Sequence, residues 1–182
     1  MREGSVWAIL PAAGRGIRYG GPKLLAMLEG RPLLEHVLSV LVEARESGAI
    51  AGGVVVVRAG DTAIVSMARD AGMHWVESRQ PSAGLAHSLE LGVTWLEGDA
   101  LHPRPAAAVI VPGDQPRVRA RVLSEVVQRW REGAAAAVRP RYREEPHVPG
   151  HPVVLDRSVW GHVSRLRGDA GFGQLLRRRP DW

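Results

Sequence analysis

Short apolar runs of strand length alternate with stretches of helical period over the first two thirds of this chain. That alternation, more than any single motif, limits the folds open to it. Residues 6–10, 54–57, 73–76 and 106–111 read as strands. After the first of them, Leu33, Leu34, Val37, Leu38, Leu41 and Val42 recur at three- and four-residue spacing, with Pro32 suited to a first turn and Gly48 to a stop. Asp61 stands as the N-cap of a helix closed by Gly72, and Leu85, Leu89, Val93 and Leu96 mark one face of another. Strands separated by helices call for parallel pairing through right-handed crossovers, and nearly continuous apolar strands fit a sheet covered on both faces. A helix around 122–130, strands at 134–138 and 152–155, and two short helices complete the expectation. The fold class is α/β: a three-layer, open, mostly parallel sheet with helices on both faces. At 182 residues, with no repeat and no linker, a single domain over 1–182 is expected.

In such a sheet, ligands bind beyond the carboxyl ends of the strands, where the strand order reverses. The loops after the first and fourth strands are therefore the places to look. The first, residues 11–23, is far longer than the two to six residues usual for such a connection. It lacks the third glycine of a dinucleotide fingerprint, since Tyr19 stands three positions after Gly16, and it lacks the Gly-Lys-Ser/Thr of a P-loop. What it shares with both is backbone freedom. Gly14, Gly16, Gly20 and Gly21 allow successive N–H groups to turn inward as a nest for phosphate oxygens, and Arg15, Arg18 and Lys23 add positive charge. An ordinary charged surface loop is the alternative.

Composition sharpens one of these residues. Of the 24 basic residues only Lys23 is a lysine. A compact ammonium with rotatable donors does work that a planar guanidinium does not, although one lysine can also be an accident of composition. The formal charge of +5 suits a polyanionic partner, either a nucleic acid or a phosphorylated small molecule. With six Trp, two Tyr and one Phe, none interleaved with basic residues as a base-stacking surface requires, the second is preferred. No apolar run approaches membrane-spanning length, there is no cysteine, and the first residues do not read as a secretory signal. A cytoplasmic location is the simplest expectation.

The segment LPAAGRGIRYGGPKLL resembles the signature of the nucleotidyltransferases that activate sugars and cofactors. The chain is most similar there to the molybdenum cofactor cytidylyltransferases of the MobA-like NTP transferase family. GRPLLEHVL, GLAHSLELG, VPGDQP, GHPVVL and GDAGFGQLL follow in that family's order, and the resemblance runs from residue 6 to about residue 176. It implies a Rossmann-like nucleotidyltransferase fold and transfer of CMP from CTP to a terminal phosphate of a cofactor such as molybdopterin, with release of pyrophosphate. Lys23, Arg18 and Asp114 would carry the chemistry. Leu10, Ala12, Ala13, Gly14, Arg15, Gly16, Lys23, Gly84, Ala86, Ser88 and Asp114 would bind the nucleotide, and Gln115 and His151 the acceptor. Asp114 would hold Mg2+, an oxygen ligand for a hard cation that keeps several waters. A molybdoenzyme receiving the product is the implied protein partner. Relatives with Leu-Ala-Ala-Gly mostly use CTP and those with Leu-Ala-Gly-Gly use GTP, so Ala12 and Ala13 point to cytidine, their methyl groups narrowing the pocket against a purine.

Each assignment has a plainer counterpart. Asp114 could be a turn former, residues 84–88 a helix N-terminus, His87 an exposed helical histidine and His151 a buried structural one. The chain also departs from the family, because it ends at RRRPDW without the late Asp-x-Asp-Thr-Pro segment. Asp169 is the acidic residue of the last family-like motif, either a second metal ligand or the N-cap of a short helix. A non-catalytic carrier or chaperone of the same fold is one alternative. A cytidylyl- or guanylyltransferase for another small phosphorylated acceptor is a second, including the methylerythritol phosphate enzyme, whose His-Asp-Ala-Ala-Arg-Pro is replaced here by PGDQP.

Overall fold

In a computed structural model, which describes residues 2–14, 16, 20–99, 101–143, 148, 150–169, 171–179 and 182, six strands form one sheet. In chain order they are β1 (Val6–Pro11), β4 (Gly52–Arg58), β5 (His74–Ser78), β6 (Ala107–Ile110), β7 (Ala137–Val138) and β8 (Val153–Asp156). Two-residue strands β2 (Met27–Leu28) and β3 (Arg31–Pro32) pair separately as a small hairpin. The sheet order is β5-β4-β1-β6-β8-β7, with β5, β4, β1 and β6 parallel and β8 antiparallel to both neighbours. Helix α1 (Leu33–Glu46) carries the chain from β1 outward to β4, and α2 (Thr62–Asp70) leads on to β5. Helix α3 (Gly84–Glu97) then returns it past β1 to β6, so the order reverses between β1 and β6. A crevice at the carboxyl ends of these two strands follows from that reversal.

Period-two alternation divides the strands between two cores. Leu10, Val55 and Val57 pack with Leu34, Leu41, Leu123 and Trp130, the last two from α4 (Ala120–Glu132). Ile9, Val54 and Val56 face Leu89 and Leu96 of α3, Trp160 of the 3₁₀ segment Arg157–Arg165, and Phe172 of α5 (Phe172–Arg178). Wholly buried leucines such as Leu10 and Leu34 each contribute about 1.5–3 kcal/mol through area removed from water. Helix α3 rides close on β1, since a Cβ at Gly92 would lie 2.5 Å from Cγ2 of Ile9.

Two local expectations change. The strand expected at 134–138 is only Ala137–Val138, because the carbonyls of Ala134 and Ala135 accept from the guanidinium of Arg2. Pro32 sits at the N-cap of α1, just ahead of the first turn, with extended backbone that suits the β2–β3 hairpin. That hairpin turns at Glu29 and Gly30, both at positive φ (50° and 80°), a geometry favoured in tight two-residue turns. The Asp61 cap is present, its Oδ1 accepting from the Ile64 N–H at 3.3 Å. No described helix is long and apolar enough to cross a membrane.

Candidate active site

Strands β1 and β6 pair side by side up to Ile9 and Ile110, so the loops that leave them rise together. At their meeting point the Lys23 ammonium donates to Oδ2 of Asp114 at 2.8 Å, across 91 residues of sequence. Both side chains are partly open to solvent, at 38% and 47%. Their spacing is set from below. Gly113 packs under the pair, where a Cβ would meet Leu10 Cδ2 at 3.1 Å and Leu24 Cδ2 at 3.4 Å. A 3₁₀ turn, Lys23–Leu25, starts the return of the β1 loop and buries Leu24 in the core.

The loop before Lys23 closes on itself. Gly16, at φ 63°, lies so near the backbone of Gly21 and Lys23 that no Cβ fits there, and the Gly21 N–H donates to the Gly16 carbonyl at 3.4 Å. The Lys23 N–H donates to the Gly21 carbonyl at 2.8 Å. The nest expected from the glycines is thereby corrected in part, since the Gly21 and Lys23 amides are spent inside the loop. Gly14 is exposed and lines a hollow of about 200 Å³ with Lys23, Arg58 and Asp61. Arg15 and Arg18 lie outside the described residues.

The remaining nucleotide-side candidates are mostly backbone presenters. Leu10, Ala12 and Ala13 have 2% or less of their surface exposed, and the Ala12 N–H donates to the Val56 carbonyl at 2.8 Å. Their methyl groups fill the two cores, Ala12 on one face and Ala13 on the other. The expectation that these methyls narrow a base pocket is corrected by that burial. Ala86 and Ser88 are also buried on the first turns of α3. Gly84, at φ 84°, touches the backbone of Gly168 and Asp169, and the Gly168 carbonyl accepts the Ala86 N–H at 2.9 Å. The start of α3 is thus partly closed by the 168–169 segment, which brings Asp169 to the same end of the sheet. Asp169 is not the N-cap of α5: that position is Gly171, with no side-chain cap bond.

On the far side of Asp114, Gln115 Nε2 lies 3.2 Å from Nδ1 of His151. With the amide nitrogen as donor in this contact, Nδ1 accepts and the ring proton of the neutral form sits on Nε2. Burial pushes the His151 imidazole below its ordinary value; the Asp114 carboxylate pulls it back up and the Arg139 guanidinium pushes it further down. The net direction favours the neutral ring at pH 7.

A divalent cation is compatible with this donor set. Among the described residues no three His, Cys, Asp or Glu gather as a cage. Asp114 offers one accessible carboxylate with its Oδ2 shared by Lys23, which suits a hard ion that keeps its waters and draws other oxygens from phosphate. Two cleft residues escaped the sequence reading. Arg58 ends β4 and is held by Asp61 at 3.1 Å, and Arg139 follows β7 beside His151. Position at a strand's carboxyl end was the available signal for both.

Residues 8–182 match the model of the MobA-like NTP transferase domain. The chain belongs to that family. Within this MobA-like framework it is 29% identical over 173 residues to the bifunctional protein GlmU of Xanthomonas campestris pv. campestris, covering 93% of this chain and 30% of that protein. It is 45% identical over 60 residues to the 2-C-methyl-D-erythritol 4-phosphate cytidylyltransferase of Xanthomonas axonopodis pv. citri, 32% of this chain and 21% of that one. The chain thus spans less than a third of the length of these curated relatives. Among solved structures, Rv0371c of Mycobacterium tuberculosis superposes with a TM-score of 0.73 at 26% identity, over 97% of this chain and 84% of that one. The same protein solved as a manganese complex gives a TM-score of 0.71 at 22% identity, over 95% and 82%. The MobA-like fold is the Rossmann-like nucleotidyltransferase architecture expected from the sequence.

Proposed function

We propose that this chain, acting as one domain in the cytoplasm, transfers CMP from CTP to the terminal phosphate of a phosphorylated cofactor of the molybdopterin class. The observation that carries this reading is the 2.8 Å pair of Lys23 and Asp114 at the carboxyl ends of β1 and β6, where the strand order reverses. A phosphate oxygen of the acceptor attacks the α-phosphorus, a P–O bond forms, the bond to the β-phosphate bridging oxygen breaks, and pyrophosphate leaves. No proton has to move first. A phosphate monoester has its second pKa near 6 and is already a nucleophile at pH 7, so alignment and charge screening are the tasks left to the protein.

Lys23 supplies a compact positive charge that follows the α-phosphate as it inverts, and Arg15 and Arg18 hold the outer phosphates. Asp114 is the residue that would hold magnesium, which when bound offsets negative charge on the triphosphate and on departing pyrophosphate. Gly14, Gly16, Gly84, Ala86 and Ser88 present backbone to the nucleotide. Gln115 and His151 line the acceptor side, the neutral ring donating from Nε2. The manganese complex of the mycobacterial relative supports divalent metal use, and the cytidylyltransferase match supports CTP. A molybdoenzyme that takes up the product is the partner this reading calls for.

Purified protein with CTP, magnesium and molybdopterin should release pyrophosphate, and GTP in parallel should serve at least tenfold less well. Equal turnover with GTP overturns the base assignment. Binding of acceptor without pyrophosphate release overturns the transferase reading in favour of a carrier of the same fold. Release with a different phosphorylated acceptor, methylerythritol phosphate included, relocates the substrate and keeps the reaction.

A further inference from the structure

The antiparallel strands β7 and β8 have no part in the nucleotide side of the cleft, yet they end at it. Strand β8 runs against β6, with Val153 opposite Ile110, and β7 runs against β8, with Val138 opposite Val154. The chain therefore leaves β7 at the same end of the sheet where it leaves β6 and enters β8. Arg139 follows β7 directly, Asp114 follows β6 by four residues, and His151 precedes β8 by two. Strands lie about 4.8 Å apart in a sheet, and β8, led in by His151, lies between the ends of β6 and β7.

The backbone beside Arg139 is held by close packing. Gly150 lies so tightly against the backbone and ring of Pro140 that a Cβ would collide there, which ties the residue after Arg139 to the residue before His151. The His151 ring lies within electrostatic reach of both the Arg139 guanidinium and the Asp114 carboxylate. Arg139 is exposed and makes no ion pair with a described carboxylate. An exposed guanidinium on a packed backbone, with a neutral imidazole near it, offers what a phosphate dianion needs: bidentate donors plus one further N–H.

We infer that Arg139 binds the terminal phosphate of the acceptor, together with Nε2 of His151, and sets it across the cleft from Lys23. The inference rests on the transferase reading for the word acceptor, but the phosphate site itself does not. It divides the basic residues by task. Lys23 serves the phosphate that reacts, and Arg139 anchors the phosphate that attacks. Arg139 is a binding residue, so its loss should fall on acceptor affinity.

Inorganic phosphate is the probe. In the full chain with 13C-labelled histidine at pH 7.5, the His151 ring signal, assigned by its absence in His151→Gln, should shift as phosphate is added. Arg139→Gln should weaken the phosphate dissociation constant read at that signal by about tenfold. Arg139→Lys, which keeps charge but loses the fork, should recover part of it, and Arg129→Gln on the far end of α4 should leave it at the wild-type value. A wild-type constant in Arg139→Gln overturns the proposal, as does an equal loss in Arg129→Gln. If Arg139→Gln does not fold, Arg139→Lys decides: the proposal fails should its constant equal the wild type. In the transfer assay, Arg139→Gln should raise KM for the acceptor about tenfold with KM for CTP unchanged. Phosphate binding that depends on Arg139 in a protein that releases no pyrophosphate would defeat the transferase reading and leave the phosphate site standing.

Discussion

Two ends of one sheet each join a basic side chain to a carboxylate, and they are built in opposite ways. At the amino end, Arg2 meets Asp156 at 3.0 Å, donates to the Ala134 and Ala135 carbonyls at 2.6 and 2.8 Å, and stacks on Trp130 with 5.4 Å to the ring centre. Asp156 in turn accepts from the Ser158 N–H and hydroxyl and from the Trp130 indole. At the carboxyl end, Lys23 and Asp114 have among the described residues only each other as side-chain hydrogen-bond partners, and both are partly exposed. A saturated pair is a clasp that holds the N-terminal segment and α4 to β8. An unsaturated pair keeps its remaining donors and lone pairs for something else. Size would have misled, because the hollow beside Arg2 and Asp156 is about 440 Å³ and the one beside Lys23 about 200 Å³. The number of partners already satisfied separates the two ends better than volume does.

The widest separation should appear in turnover. Lys23→Arg keeps the charge and changes its shape, so nucleotidyl transfer should fall by about 10²-fold or more while CTP binding and the thermal midpoint stay near wild type. Asp114→Asn should likewise abolish transfer, and with it the response to magnesium. Near-normal turnover in Lys23→Arg would break the comparison at its open end.

The clasp should show the reverse pattern. Asp156→Ala strips partners from Arg2, Trp130 and Ser158 at once and should cost about 2 kcal/mol, lowering the thermal midpoint by roughly 4–8 °C with kcat/KM unchanged. Loss of activity without loss of stability would show that the amino end is functional after all.

Acid should expose the clasp more gently. Burial pushes Asp156 upward, but hydrogen bonds from Ser158 and Trp130 and the charge of Arg2 outweigh it, and the net shift is downward. A carboxylate with a depressed folded pKa contributes stability above its unfolded value of about 3.9, and loses it as pH falls through the lower folded value. Urea unfolding of the wild type and Asp156→Asn should therefore differ most at pH 5–7 and converge below pH 4. A gap that stays constant across that range would remove ionisation from the clasp. His151 runs the other way in charge: its ring is favoured neutral, so its share of stability fades as pH falls below about 6.5.

The smallest effect is expected of Asp169. With Gly171 at the cap position of α5, Asp169→Asn should cost about 1 kcal/mol or less, below Asp156→Ala. Magnesium dependence is the sharper readout, since a tenfold rise in the requirement at an unchanged midpoint would add Asp169 to the open end as a second carboxylate.

Much of this arrangement was legible along the chain. Nearly continuous apolar runs on β1 and β4 marked strands buried on both faces, the Asp61 cap and the Gly48 and Gly72 stops bounded helices, and a lone lysine in a glycine-rich loop marked one catalytic candidate. Less visible was how the glycines would be used. Gly16 and Gly21 are engaged with each other, and the methyls of Ala12 and Ala13 lie in the cores, because whether a loop residue faces a ligand depends on what packs beneath it.

Local order was determined by the sequence alone, since strand and helix periods, caps and stops are encoded within a few residues of where they act. So were the chemical types gathered in each loop: an ammonium in one, a carboxylate in another. Tertiary structure decided which of them meet. Lys23 and Asp114 are 91 residues apart and touch only because the crossover of α3 seats β6 beside β1. Arg139 stands by His151 only because β7 and β8 turn antiparallel at the sheet's edge. Strand order is chosen by how whole helices bury their apolar faces, a sum over contacts distant in sequence that no local period records.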